Sequence, residues 1–187
     1  MILFHFGKRL LESKYVHIFS NATVPVVGIL KNIIGYWVIF GLMIPIELLI
    51  ITHKSLGPCW FPCRTFEMLC FVGFMVCEVL NGWCHWKLRM LRVKVVNGRE
   101  VITKERVIPR GMFFDSIISP NYTFEICAWL FFIGFSRSYV CFLFICLGGY
   151  IMMVWAKGKK KKLLKVCKND EEIRMVKRRD LIFPGLL

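Results

Sequence analysis

The chain has 187 residues, 57% of them hydrophobic, and carries a formal net charge of +14. A water-soluble domain of this length cannot hide so much apolar surface, whereas a bilayer receives it on every side of a helix, so an ordinary soluble fold is excluded. Greasiness and charge must then be segregated along the chain, and the basic surplus reads as membrane topology, with no nucleic-acid partner expected.

A helix needs roughly 20 apolar residues to cross about 30 Å of hydrocarbon. Residues 1–15 fall short of that and place Lys8, Arg9 and Glu12 on one face, which fits an amphipathic helix or the end of a span whose beginning lies outside this sequence. No secretory signal is expected, since the start lacks an apolar run with small-residue cleavage chemistry. Residues 33–51 qualify as a span despite Pro45 and Glu47. A loop over 53–64 follows and carries Cys59 and Cys63. Residues 66–86 qualify despite Glu67 and Glu78 and lead into a basic segment, 87–110. The run 124–155 is too long for one crossing and is divided by Ser136-Arg137-Ser138, so it predicts a helical hairpin whose turn carries Arg137. Residues 157–187 close the chain as a basic tail. The expected fold is all-α: a polytopic membrane helical bundle of about four clear spans plus the amino-terminal amphipathic or partial span, forming one domain over 1–187.

Orientation follows from where Lys and Arg accumulate near span ends. Segment 87–110 holds eight Lys/Arg against two acids, and 157–187 holds eleven against four. Both are expected in the cytosol, and the hairpin supplies the two crossings that this requires. The 53–64 loop then falls on the lumenal side, where a Cys59–Cys63 disulfide is open to the chain. Most other cysteines lie within spans as small apolar residues, and no metal-ligand spacing stands out. The sequons at Asn21 and Asn121 fall in the cytosol or at a cytosolic span end, and neither is expected to be modified.

Ionisable and polar groups in spans cost several kcal/mol unless they are paired or functional. Asn81, His85, Arg89 and Arg92, at spacings of four, four and three, form one stripe on the helix that leaves the membrane near residue 86. Asn121 and Glu125 lie one turn apart at the start of the hairpin. A juxtamembrane Arg pair alone would be ordinary headgroup contact. With Asn81 and His85 deeper on the same stripe, the pattern reads as the wall of a cavity, open to the cytosol, that holds an anionic ligand.

Four stretches carry a resemblance: 5–12 (HFGKRLLE), 15–25 (YVHIFSNATVP), 120–125 (PNYTFE) and 155–159 (WAKGK). Taken in order, they resemble the very-long-chain trans-2-enoyl-CoA reductases of the endoplasmic reticulum, which belong with the steroid 5α-reductases in one superfamily. The ending LIFPGLL, 181–187, is also similar to that family's carboxy terminus. The resemblance implies reduction of the C2=C3 bond of an enoyl-CoA by NADPH, the last step of the fatty-acid elongation cycle. It also implies an endoplasmic reticulum membrane setting, an acyl-CoA substrate and elongation enzymes as partners. A steroid or polyprenol enone reductase, and a catalytically silent membrane subunit, stay open as alternatives.

Hydride arriving at C3 pushes charge onto the thioester oxygen, and a proton must then reach C2. By resemblance Tyr122 is the candidate acid. A free tyrosine has a pKa of about 10, too high for easy donation, so cations would help. Lys8 and Arg9 match the family's Lys-Arg pair and would tune Tyr122, hold the thioester or bind phosphate. The resemblance assigns Asn81, His85, Arg89, Arg92, Asn121 and Glu125 to NADPH, with Lys159 assisting from the basic run. No Gly-x-Gly-x-x-Gly follows a strand, so a Rossmann domain is excluded as the holder. Two departures stand out, Phe6 and Leu163, each where the family usually has tyrosine. The family also carries an additional amino-terminal region before the Lys-Arg pair. A shortened enzyme, a sequence that starts late and a chain that has lost catalysis are the readings left open by that difference.

Overall fold

The structure is a computed structural model that describes residues 1–18, 41–54, 64–96, 98–103 and 106–185, together with positions 26, 30, 33 and 38. The Cys59–Cys63 pair, Asn21, and most of 33–40 in the first expected span lie outside the described residues.

Helix α1 (Ile2–Leu11) runs into a π-helical turn at Glu12–Val16. Its amphipathic pattern is inverted relative to a soluble helix: His5 and Glu12 are buried, while Leu3 is 90% exposed and Leu10 and Leu11 also face outward. Apolar surface outside and ionisable groups inside is the arrangement a lipid surrounding favours. Lys8 and Arg9 occupy the last turn, where they also complement the negative end of the helix dipole.

Helix α2 (Ile44–Lys54) carries Glu47, the acid that interrupts the expected first span. Glu47 Oε1 accepts hydrogen bonds from the backbone N–H groups of Tyr139 at 2.7 Å and Val140 at 3.2 Å, and the Ser138 hydroxyl also donates to this carboxylate. The charge thus satisfies donors that a helix start leaves unpaired.

Helix α3 (Arg64–Met90) is 27 residues long, and Cys70, Phe74, Cys77, Glu78, Asn81 and Cys84 form its buried face. It stops short of Arg92, which the sequence placed on the helical stripe. Arg92 sits in the turn that follows, with its backbone N–H bonded to Arg89 O at 2.8 Å. Strands β1 (Val93–Val96) and β2 (Arg99–Ile102) then pair antiparallel, Val93 opposite Ile102 and Val96 opposite Arg99. This short hairpin was not expected and adds a two-stranded ribbon to a chain that is otherwise mostly helical, as expected. Its two-residue connection is the sequence Asn97-Gly98, the usual signal for a tight hairpin, and Gly98 has a φ of 73° that a side chain would resist.

Helix α4 (Pro120–Ser136) opens on a proline, whose missing N–H costs nothing at a first turn. It ends at Arg137, a left-handed cap whose N–H bonds to Ile133 O at 2.7 Å. Ser138 caps helix α5 (Tyr139–Leu164) by accepting from Cys141 N at 3.0 Å. The expected hairpin with its turn at Arg137 is therefore present. Helix α6 (Asp170–Arg178) has Asn169 as its cap, three acids in its first turn and Lys177 and Arg178 in its last.

Helices α3 and α4 form the central contact. A Cβ on Gly73 would lie 2.6 Å from the Phe131 ring, and one on Gly134 would lie 3.0 Å from Cys70 Sγ, so glycine sets the closeness of approach. Phe74, Trp129, Phe132, Ile145 and Met152 fill the core between them and α5. The tail does not trail away. Asp180 and Leu181 pair with the backbone before α4, through Asp180 N to Ser116 O at 2.9 Å and Ile118 N to Asp180 O at 2.8 Å, and Ile182 joins the main core.

Among the described residues two helices, α3 and α5, are long and apolar enough to cross a membrane by length and composition. Four crossings are not established. Helix α4 has 17 residues and spends its first two turns on Asn121, Thr123 and Glu125, and α2 has only 11. The flanks of α5 carry apolar residues outward, Leu147 at 62% exposure among them.

Candidate active site

The polar faces of α1 and α3 meet in a buried ionic cluster. Glu78, 1% exposed, lies 2.6 Å from His5 Nδ1 through one oxygen and 2.6 Å from Lys8 Nζ through the other. Lys8 also donates to Asn81 Oδ1 at 2.7 Å and stands 3.6 Å from Glu12. Asn81 then donates through Nδ2 to Asn121 O at 2.8 Å and to Glu125 Oε2 at 3.1 Å, which ties α3 to the start of α4. The geometry saturates the Lys8 ammonium, and in low dielectric such satisfied networks hold their members rigidly.

Above this cluster opens a cavity of about 630 Å³. Its walls include Arg9, His85, Arg89, Arg92, Tyr122 and Lys159, with Asn121 at the base. Arg9 Nη1 bridges Glu12 Oε2 at 3.1 Å and His85 Nε2 at 2.9 Å, and His85 Nδ1 lies 3.1 Å from His17 Nε2. Arg89 and Arg92 donate to the carbonyls of Val16 at 3.4 Å and Ile18 at 2.8 Å, so the segment after α1 is held as part of the cavity lining. Burial and the nearby Arg9 hold the His17 imidazole below its ordinary pKa of 6.5, with Glu12 pulling the other way. The Lys159 ammonium sits over the Tyr122 ring, 4.0 Å from its centroid. Asn121 Oδ1 is buried without a hydrogen-bond partner among the described residues, an acceptor suited to a donor that a ligand would bring.

The sequence pattern of the 3-oxo-5-alpha-steroid 4-dehydrogenase family matches residues 22–186. The chain belongs to that family. Among its relatives, a Schizosaccharomyces pombe protein whose name contains the words enoyl reductase is 33% identical over 94% of this chain and 56% of its own length. A Dictyostelium discoideum protein named very-long-chain enoyl-CoA reductase is 29% identical over 98% of this chain and 55% of its own. A Caenorhabditis elegans protein whose name contains the same words is 31% identical over 87% of this chain and 51% of its own. The chain spans about half the length of these relatives. No solved structure matches it.

Within this family member, seven of the ten residues singled out from sequence line one cavity: Arg9, His85, Arg89, Arg92, Asn121, Tyr122 and Lys159. The other three, Lys8, Asn81 and Glu125, lie in the ionic cluster bonded to that cavity's base. Lys8 pairs with Glu78 and Asn81 in that cluster, and the ammonium over the Tyr122 ring belongs to Lys159. Of the two departures, Leu163 lines the cavity, whereas Phe6 packs on the core against Trp129 at 6.5 Å between ring centroids.

Sequence reasoning assigned no role to His5, Glu12, His17 or Glu78. The available signal was Glu78, an acid in mid-span on the same helical face as Asn81 and His85, at spacings of three and four. Glu12, His17 and His85 also bring a carboxylate and two imidazoles within 4.8 Å of one another, a metal-type grouping that sequence spacing did not reveal. The Arg9 guanidinium already bonds two of the three, and the surrounding cations oppose a metal ion there.

Proposed function

We propose that the chain is the catalytic membrane part of an NADPH-dependent very-long-chain trans-2-enoyl-CoA reductase, an oxidoreductase acting on CH–CH groups. The observation that carries this reading is the convergence of Tyr122, Arg9, Arg89, Arg92 and Lys159 on one cavity, in a chain whose relatives have enoyl-CoA reductase in their names. On this reading the protein works in the endoplasmic reticulum membrane, multi-pass with a cytosolic carboxy terminus, at the last step of the fatty-acid elongation cycle beside other elongation enzymes.

The residues present fit NADPH. Six cations on the cavity wall, Arg9, Arg89, Arg92, Arg106, Lys159 and Lys162, suit a polyanion, and Asn121 Oδ1, unpaired among the described residues, suits an amide N–H. Bound there, NADPH would supply a hydride to C3 of the substrate. Tyr122 donates its hydroxyl proton to C2, and Arg9 and Lys159 stabilise the charge that grows on the thioester oxygen. The His5–Glu78–Lys8–Asn81 cluster fixes the floor against which these groups are held.

The decisive assay is NADPH oxidation with a long-chain trans-2-enoyl-CoA in reconstituted membranes. Tyr122→Phe retains the ring under Lys159 and is expected to leave NADPH binding close to wild type while lowering turnover by about 10²–10⁴-fold. Full activity in Tyr122→Phe would remove this tyrosine from the proton step. Wild-type protein that binds NADPH but never oxidises it with any enoyl-CoA would leave a silent membrane subunit as the surviving reading.

A further inference from the structure

A second cavity, of about 650 Å³, lies beside the first, and Arg106 and Val107 wall both. Its remaining charged lining is Arg110, Lys168 and Glu172, so three cations face one carboxylate. That carboxylate is engaged: Glu172 Oε1 accepts from Arg110 Nη2 at 3.1 Å and Oε2 from Lys168 N at 2.9 Å. Arg106 makes no hydrogen bond or ion pair among the described residues. The floor is built rather than incidental. Ile108, Ile118 and Val176 form a small core under it, and the buried Arg179 donates to Pro109 O at 2.9 Å, fixing the backbone between Arg106 and Arg110.

The reaction proposed above has two ligands with the same kind of head, a phosphorylated adenosine nucleotide carrying several negative charges. Their reactive ends must meet while their heads stay apart, because two polyanions in one cavity repel across a few ångströms. Two cationic cavities of similar volume that share one arginine wall meet this requirement. We propose that the Arg106–Arg110–Lys168 cavity binds the phosphorylated nucleotide head of the coenzyme A thioester, with the first cavity left to NADPH. This assignment rests on the reductase reading. The chemistry recognised is a phosphate ester, which an anionic lipid headgroup also presents.

The test uses the full chain in phosphatidylcholine discs and titrates free coenzyme A and 3′-dephospho-coenzyme A, neither of which needs turnover. Arg110→Ala and Lys168→Ala are each expected to weaken coenzyme A roughly five- to tenfold, with a smaller effect on the dephospho form. Glu172→Gln keeps an oxygen for the Lys168 N–H but deletes the charge, and is expected to tighten coenzyme A several-fold, a gain that damaged folding does not produce. Coenzyme A affinity unmoved in all three variants would overturn the assignment. So would displacement of coenzyme A by phosphatidylserine in the discs, together with loss of co-purifying anionic lipid in Lys168→Ala, since the cavity would then belong to headgroups. Failure of the reductase reading is seen separately, as no NADPH oxidation with any enoyl thioester while coenzyme A still binds. Turnover of enoyl-CoA whose KM ignores all three substitutions would keep the reductase and refute the site.

Discussion

Glu78 is an acid in the middle of an apolar helix, and its two partners, the His5 imidazole and the Lys8 ammonium, explain why it persists there. His5 and Lys8 each approach it to 2.6 Å, so the carboxylate is desolvated but not alone. Glu78→Gln would leave the Lys8 ammonium buried with only Glu12 at 3.6 Å for charge compensation. A loss of about 3 kcal/mol or more is expected, which for a chain of this size reads as a fall in Tm of roughly 6–12 °C in detergent. Glu67→Gln is the control, since its contact to Arg137 is 4.0 Å long and about half-exposed on both sides. Arg92 poses a different question. One N–H is committed to Ile18 O, and the residue lines the cavity. Arg92→Ala is expected to weaken NADPH about tenfold or more while changing NADH less, as for a charged hydrogen bond lost from the 2′-phosphate. An equal loss for both cofactors would place Arg92 away from that phosphate.

Among the elements, the α3–α4 pair decides whether the site exists, because it carries Glu78, Asn81 and His85 on one helix and Asn121, Tyr122 and Glu125 on the other. Its closeness depends on Gly73 and Gly134. Gly73→Leu is expected to push Phe131 aside and separate the helices, lowering both Tm and NADPH affinity. Gly148, on α5, meets nothing within 4 Å of an added Cβ, so Gly148→Ala is expected to be neutral or to stabilise by up to about 1 kcal/mol. Thermal unfolding of the two variants side by side checks the pair. The hairpin β1–β2 shows where element reading from sequence stopped short: segment 87–110 was read for its charge, and its Asn-Gly turn signal went unused.

For the molecule as a whole, the basic ends of α3 and α5 are expected on the same side of the membrane, with the tail folded back between them. In sealed microsomes, a membrane-impermeant thiol reagent is expected to reach Cys167 from the cytosolic side and to leave Cys59 protected; the reverse pattern would invert the orientation. The sequence by itself determined the apolar spacing that suggests a membrane protein, the hairpin turn at Arg137 and seven of the polar and charged residues that line the cavity, because these depend on local hydropathy, local turn chemistry and helical spacing. Only the tertiary structure decided which cation meets which acid. Lys8 and Glu78 are 70 residues apart, and Lys159 reaches Tyr122 across two helices, so neither pairing is encoded in any local period. Long-range partners among many Lys and Glu candidates are chosen by how α1, α3, α4 and α5 pack. In a low-dielectric interior that choice is made stringently, since each buried charge left without its partner costs several kcal/mol.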